Sequence, residues 1–249
     1  HLAEPGTGVF LASAFDRDAT DTITAGIIAS GAEVILGGGE VLLLPEGMRG
    51  RHGEVGVRKD GRNLLDEARA AGYTIVYTRE ELLALPVNTS KLLGVFAAKH
   101  TFNDRSEEDL AAAALPLYAP EAPTLAEMTA VALRLLSAGN RRFFLVVEEE
   151  GSDNFANDNN ARGALTALAR ADEAIGVAMD FIATTPGTLL LTAADSDAGG
   201  MQVWAVRDEA AYERPLPSVS DNGAPLDGRD GTATLPFVSA ADARGVMLR

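Results

Sequence analysis

Apolar runs of strand length alternate along this chain with stretches of helical period. The runs are continuous rather than alternating, which is typical of strands in a parallel sheet that is covered on both faces. The alternation of strands and helices predicts an α/β fold, a three-layer α/β/α sandwich around a mostly parallel central sheet. The predicted strands lie at 33–36, 73–77, 92–96, 143–147, 188–192 and 202–206.

Capping residues and glycines mark the expected helix boundaries. Two Thr-x-x-Glu capping boxes, in which a threonine hydroxyl and a glutamate satisfy the first backbone N–H groups, predict helix starts. Glycines placed after two other stretches predict helix ends. Together with an apolar stripe of 3.6-residue period, these features predict helices over 19–30, 62–71 and 158–182 and after the boxes Thr78/Glu81 and Thr124/Glu127.

The composition describes an acidic chain without cysteine. The 249 residues allow one or two domains, and we expect an α/β core over 1–206 and an irregular surface excursion over 207–249. The net charge of −15 repels nucleic acid and anionic membranes and suits cation binding. The absence of cysteine excludes disulfides and thiolate metal sites, and no apolar run is long enough to span a membrane.

Acidic and amide side chains are concentrated after two predicted strands. Residues 148–160 carry five carboxylates and four carboxamides, and residues 193–200 contain Asp195 and Asp197. Ligands of α/β sheets bind beyond the carboxyl ends of the strands, and oxygen donors favour Ca²⁺ or Mg²⁺. A solvated acidic loop with Asp158 as a helix cap explains the first segment equally well, and a turn explains the second. Two acidic strand ends in one sheet favour a shared cation site.

The histidines and the glycine-rich segment give weaker indications of a functional site than the acidic segments do. His1, His52 and His100 have no i, i+4 partner, so their spacing gives no support to a histidine zinc site. We expect His52 in an exposed loop, and a position at the active edge of the sheet is the less favoured alternative for His100. The glycines at 37–39 lack the spacing of a phosphate-binding loop and predict a tight turn. The Gly-x-Ser-x-Gly motif of the α/β-hydrolases is absent.

Taken in order, several segments resemble the alkaline phosphatase family. Each is a weak match alone, and the ordered set covers most of residues 1–206. The resemblance implies an alkaline-phosphatase-like fold. The matching segments are 34–39 (VILGGG), 60–64 (DGRNL against the family's DGKNL), 93–96 (LGVF against LGLF), 143–148 (FFLVVE against FFLxVEGG) and 188–200, which resembles the strand ending in TADHETGG.

The resemblance assigns metal-binding roles to individual residues. Glu148 matches a magnesium-binding glutamate, Asp153 matches a ligand of the first zinc, and Asp195 matches a ligand of the second zinc. Glu4 takes the place of a threonine that helps to bind magnesium. The family's zinc-binding histidines are replaced by Asn157 and Ser196, and this loss of imidazole favours a hard cation. Magnesium or calcium is therefore the expected cofactor, and zinc remains an alternative.

Two parts of the family's active site have no match in this chain. The serine nucleophile, with a bridging aspartate, is expected upstream of His1, and the last zinc-binding histidine is expected after residue 249. The ends of the chain, which starts without methionine, favour a fragment of a longer protein. We therefore expect this segment alone to be inactive.

The function that the resemblance implies is metal-dependent hydrolysis of phosphate monoesters by a longer parent chain. Its expected partner is a small-molecule phosphate ester, with neither nucleic acid nor membrane, and the resemblance leaves a homodimer open. The acidic charge fits a periplasmic or secreted enzyme. A phosphodiesterase on the same fold and a non-catalytic cation-binding protein remain alternatives.

Overall fold

The computed structural model describes residues 1–139 and 141–194, and the backbone of 203–206 and 246–248. Three strands form a parallel sheet in the order β1-β3-β2, with Leu36 of β1 opposite Gly94 of β3. A separate antiparallel pair joins β4 to β5. The strands are β1 Val34–Gly37, β2 Thr74–Val76, β3 Leu92–Val95, β4 Val203–Val206 and β5 Val246–Leu248.

Helices alternate with the strands, as the sequence predicts. A short 3₁₀ turn at Glu40–Leu42 follows β1. The α-helices are α1 Pro5–Gly8, α2 Thr20–Ala29, α3 Leu64–Ala70, α4 Arg79–Leu83, α5 Glu107–Ala113, α6 Leu125–Leu136, α7 Gly151–Asn157 and α8 Ala161–Thr184. None of the described helices combines the length and the apolar character that crossing a membrane requires.

Both faces of the parallel sheet are covered, which confirms the α/β prediction. On one face, Leu93 and Val95 of β3 pack in a buried cluster with side chains of α2 and α3. On the other face, Leu92 packs with Val131 and Leu135 of α6. Burial on both sides explains why these strands are continuously apolar.

Local capping chemistry sets the helix ends. Both halves of the capping box at Thr124 and Glu127 are present at the start of α6. Gly31 and Gly72 follow α2 and α3 with φ values of 72° and 87°, a left-handed conformation that glycine adopts without steric cost. The start of α8 differs from the expectation, because Asn160 rather than Asp158 accepts a hydrogen bond from a first-turn N–H, that of Gly163.

A fully buried arginine ties the segments around β1 together. The Arg58 guanidinium donates to the Thr24 hydroxyl at 2.6 Å and to the Leu42 carbonyl at 3.0 Å. It also forms an ion pair with Asp60. These bonds satisfy a charge that would otherwise be costly to remove from water.

Two predicted strands are absent from the described structure. Residues 143–147 and 188–192 lie outside any sheet, and Phe144 and Leu189 are 76% and 78% exposed. A strand needs a neighbour that pairs with its backbone groups, and none of the described strands pairs with either segment. Their apolar character indicated burial, but it could not supply that neighbour.

The chain divides into two compact units. The first contains residues 1–101, 118–148 and 173–189, and the second contains residues 102–117, 149–172 and 190–249. The predicted division into 1–206 and 207–249 stays a prediction, because most of the second range lies outside the described residues. Within the second unit, Phe102 and Phe155 are buried and their rings lie 5.2 Å apart.

Candidate metal centre

The first residues of the chain lie at the carboxyl end of β1. The backbone N–H of Leu2 donates to the Gly38 carbonyl at 3.1 Å. The Leu2 side chain packs so closely on Gly37 that a Cβ there would lie 3.0 Å from it. Residues 1–4 are therefore held at the sheet edge where ligands bind in α/β folds.

The triglycine turn brings the segment after β3 against the segment after β1. The N–H groups of Gly39 and Glu40 both donate to the Ala97 carbonyl at 3.1 Å. A Cβ on Gly38 would lie only 1.9 Å from the Lys99 carbonyl oxygen, so glycine is required at this position. The turn is tight, as predicted, and its tightness places the residues up to His100 beside the chain's first residues.

Two histidines and a glutamate meet at this edge. Glu4 Oε1 lies 3.2 Å from His1 Nε2, and the rings of His1 and His100 stack with centroids 4.9 Å apart. All three residues are partly buried. Sequence spacing gave no support to a histidine site because it compares only nearby positions, whereas these residues meet through the β1–β3 pairing.

Glu148 lies in the same unit, against the first helical turn of the chain. A Cβ on Gly6 would lie 1.9 Å from Glu148 Oε1, so the carboxylate packs directly on the Gly6 backbone. Gly6 is two residues from Glu4. The structure therefore brings two of the predicted metal ligands to one short segment.

The predicted ligands of the second unit lie on a short helix rather than in a loop. Asp153 and Asn157 are one turn apart on α7, and the Asn157 amide donates to Asp153 Oδ1 at 2.8 Å. Both side chains are exposed. Asp195 and Ser196 lie outside the described residues. The whole ligand set, Glu4, Glu148, Asp153, Asn157, Asp195 and Ser196, stays a prediction.

The second unit also holds two carboxyl groups with raised pKa values. Burial raises the pKa of Glu107 to about 7, against a smaller opposing effect from the Arg162 backbone N–H. Burial, followed by the charge and a hydrogen bond of Asp104, raises the pKa of Asp158. The Asn154 amide donates to Asp104 at 3.0 Å. Asp158 and Asn154 belong to the acidic segment 148–160 that the sequence singled out, whereas the sequence offered no means of finding Asp104 or Glu107.

His52 belongs to a structural loop. Its Nε2–H donates to the Val95 carbonyl at 2.8 Å, and its backbone N–H donates to Glu40 Oε2 at 2.8 Å. Glu40 is only 1% exposed and also accepts from the Arg51 N–H. The loop around His52 is largely exposed, and these bonds hold the His52 side chain itself partly buried.

The chain is similar in sequence to known alkaline phosphatases. The family model of alkaline phosphatase matches residues 9–221. Membrane-bound alkaline phosphatase of Bombyx mori is 35% identical over 172 residues, which cover 65% of this chain and 29% of the relative. Alkaline phosphatase H of Pseudomonas aeruginosa is 28% identical over 196 residues, which cover 74% of this chain and 40% of the relative. The chain thus spans about a third of the length of these curated relatives.

Solved structures show a related fold. The alkaline phosphatase of Thermus thermophilus matches 74% of this chain and 35% of its own, with a TM-score of 0.60 and 33% identity. A cold-active alkaline phosphatase from Shewanella sp. matches 82% of this chain and 44% of its own, with a TM-score of 0.64 and 25% identity. The Antarctic bacterium TAB5 enzyme, at 19% identity, matches 99% of this chain and 61% of its own with a TM-score of 0.65, which supports the fold alone.

Proposed function

Because this chain belongs to the alkaline phosphatase family, we propose that it forms part of a metal-dependent phosphatase that hydrolyses phosphate monoesters. The observation that supports the proposal is the packing of the Glu148 carboxylate on Gly6, two residues from Glu4, at the ligand-binding edge of a parallel sheet. The match covers about a third of the curated relatives, so we assign the activity to a longer parent chain. We expect the 249-residue segment alone to be inactive.

The proposed metal ligands are oxygen donors. Glu4 and Glu148 are assigned the magnesium position, Asp153 and Asn157 the first zinc position of the family, and Asp195 with Ser196 the second. Asn157 and Ser196 stand where the family has imidazoles, so magnesium or calcium fits this set better than zinc. When bound, divalent ions neutralise the phosphoryl oxygens and stabilise the leaving oxygen.

The chain's own contribution is positioning. The packing on Gly6 holds the Glu148 carboxylate, and the bond between Leu2 and Gly38 fixes the backbone that carries Glu4. We assign to Asn157 the completion of a ligand shell or the donation of a hydrogen bond to a phosphate oxygen. The nucleophile is assigned upstream of His1, as the resemblance implies.

We also propose that the enzyme acts on a small-molecule phosphate ester and binds neither nucleic acid nor a membrane. We propose further that it is periplasmic or secreted and is a candidate homodimer. The net charge of −15 supports the exclusion of polyanions.

The test is hydrolysis of 4-nitrophenyl phosphate by the full parent chain after chelation and addition of Mg²⁺, Ca²⁺ or Zn²⁺. We expect activity with Mg²⁺ or Ca²⁺, and a loss of about tenfold or more in kcat/KM for Glu148→Gln. Glu80→Gln, which changes an exposed glutamate of α4, is the matched control and should retain activity. Activity with Zn²⁺ alone would contradict the hard-cation assignment.

Two outcomes would replace the proposal. Preference for bis(4-nitrophenyl) phosphate over the monoester would indicate a phosphodiesterase. Metal binding without turnover of either ester would indicate a cation-binding protein that retains the fold.

A further inference from the structure

One group of side chains has the composition of a transition-metal site. One ligand atom from each of His1, Glu4 and His100 lies within 4.8 Å of the other two, close enough for small side-chain movements to bring all three onto a single ion. The three residues come from two segments far apart in the sequence. None of them except Glu4 belongs to the oxygen-donor set described above.

The fold holds these residues together before any ion binds. Residues 1 and 4 are joined by a turn in which the Glu4 N–H donates to the His1 carbonyl at 3.1 Å. The neighbouring Leu2 is bonded to Gly38, and Gly38 in turn has no room for a side chain against the Lys99 carbonyl. The segment that carries His100 is therefore fixed against the segment that carries His1. A preformed group loses little conformational freedom when it binds an ion.

We propose that His1, Glu4 and His100 bind a divalent transition-metal ion of the zinc class. Two imidazoles and one carboxylate are a ligand set of zinc sites that keep a fourth position open for water or substrate. Imidazole nitrogen favours zinc and its neighbours over magnesium and calcium, which prefer oxygen alone. The site does not depend on phosphatase activity, so it can be tested without turnover.

The local charges suit a cation. The carboxylate of Glu4 opposes part of the charge of a divalent ion, and the whole chain carries a net charge of −15. The two rings stack at an interplanar angle of 24°, and each supplies one imidazole nitrogen to the group.

Binding has a consequence for one hydrogen bond. His1 Nδ1 accepts a long 3.3 Å hydrogen bond from the Ala3 N–H, so the ring proton lies on Nε2, which faces Glu4. An ion held by Nε2 requires this proton to move to Nδ1, and the bond from Ala3 is then lost. The Ala3 amide should therefore respond to the ion.

The experiment is a titration of the metal-free 249-residue chain with Co²⁺ and Zn²⁺, and with Mg²⁺ for comparison. Visible absorption of Co²⁺ reports nitrogen ligation, calorimetry reports the affinity, and the Ala3 amide resonance reports the local change. We expect Zn²⁺ to bind more tightly than Mg²⁺, and His100→Gln to weaken Zn²⁺ binding by at least about tenfold. His52→Gln changes the remaining histidine of the chain and should retain the affinity.

Far-UV circular dichroism of each variant separates loss of binding from loss of folding, and His1→Gln provides a second ligand variant. Unchanged Zn²⁺ affinity in folded His100→Gln would overturn the proposal. So would loss of Zn²⁺ binding in Glu148→Gln with full binding in His100→Gln, because the ion would then occupy the oxygen-donor set. If the parent enzyme needs only Mg²⁺ for activity, the Zn²⁺-binding results for His1, Glu4 and His100 still stand. The two proposals can therefore fail separately.

Discussion

Replacing Glu107 with glutamine should stabilise the protein above neutral pH and leave its stability unchanged in acid. The Glu107 carboxyl group is half-buried at the start of α5, and its Oε1 has no hydrogen-bond partner among the described residues. Burial disfavours the charged form and raises the pKa of this group from 4.5 to about 7. The Glu107→Gln change removes the charge and nearly preserves the shape.

The sign and size of the effect follow from the two pKa values. Below pH 4.5 the group is protonated in both the folded and the unfolded protein, so its ionisation costs nothing. As the pH rises towards 7, the unfolded chain releases the proton first and the folded protein loses stability. The full shift corresponds to about 3 kcal/mol, and partial exposure reduces the expected cost to about 1–2 kcal/mol.

The assay is urea unfolding of the wild-type protein and Glu107→Gln across this pH range. The variant should be more stable above pH 7, and the difference should vanish near pH 4.5. Glu108→Gln changes the exposed neighbour on the same helix and should show no comparable gain. A stability difference that does not depend on pH would refute the assignment of the effect to a buried charge.

Two further predictions concern packing. Gly38→Ala should lower the free energy of urea unfolding by about 1–3 kcal/mol, because a Cβ would overlap the Lys99 carbonyl. Gly176→Ala is the control and should not destabilise the fold, because nothing lies within 4 Å of its new Cβ. Equal effects of the two substitutions would contradict the close contact at Gly38. Arg58→Met should cost about 3 kcal/mol by calorimetry, because it removes the hydrogen bonds to Thr24 and Leu42 and the ion pair with Asp60. Exposed Arg17→Met is its control, and matching melting temperatures would show that the buried guanidinium contributes nothing.

Helix boundaries and buried strands that depend on neighbouring residues in the chain were predictable from the sequence. The capping box at Thr124 and Glu127 and the glycine stops at Gly31 and Gly72 involve neighbours in the chain, so pattern alone located α6, α2 and α3. Continuous apolar runs located the three parallel strands, because burial on both faces leaves few polar positions.

Features that depend on distant partners were not predictable. Residues 143–147 are as apolar as β3, yet they form no strand, because pairing depends on a neighbour that the run itself does not encode. Sequence spacing does not reveal the group of His1, Glu4 and His100 for the same reason, because the β1–β3 pairing brings these residues together. Of the predicted metal ligands, Asp153 and Asn157 meet because they are one helical turn apart.

The strand order β1-β3-β2 has a consequence for synthesis on the ribosome. The middle strand is the last of the three to be made, and both outer strands pair with it rather than with each other. Until Leu92–Val95 leaves the exit tunnel, β1 and β2 lack the strand with which both pair in the described structure, and their apolar residues stay uncovered. A chaperone would therefore protect this protein during the interval between the synthesis of β1 and the emergence of β3.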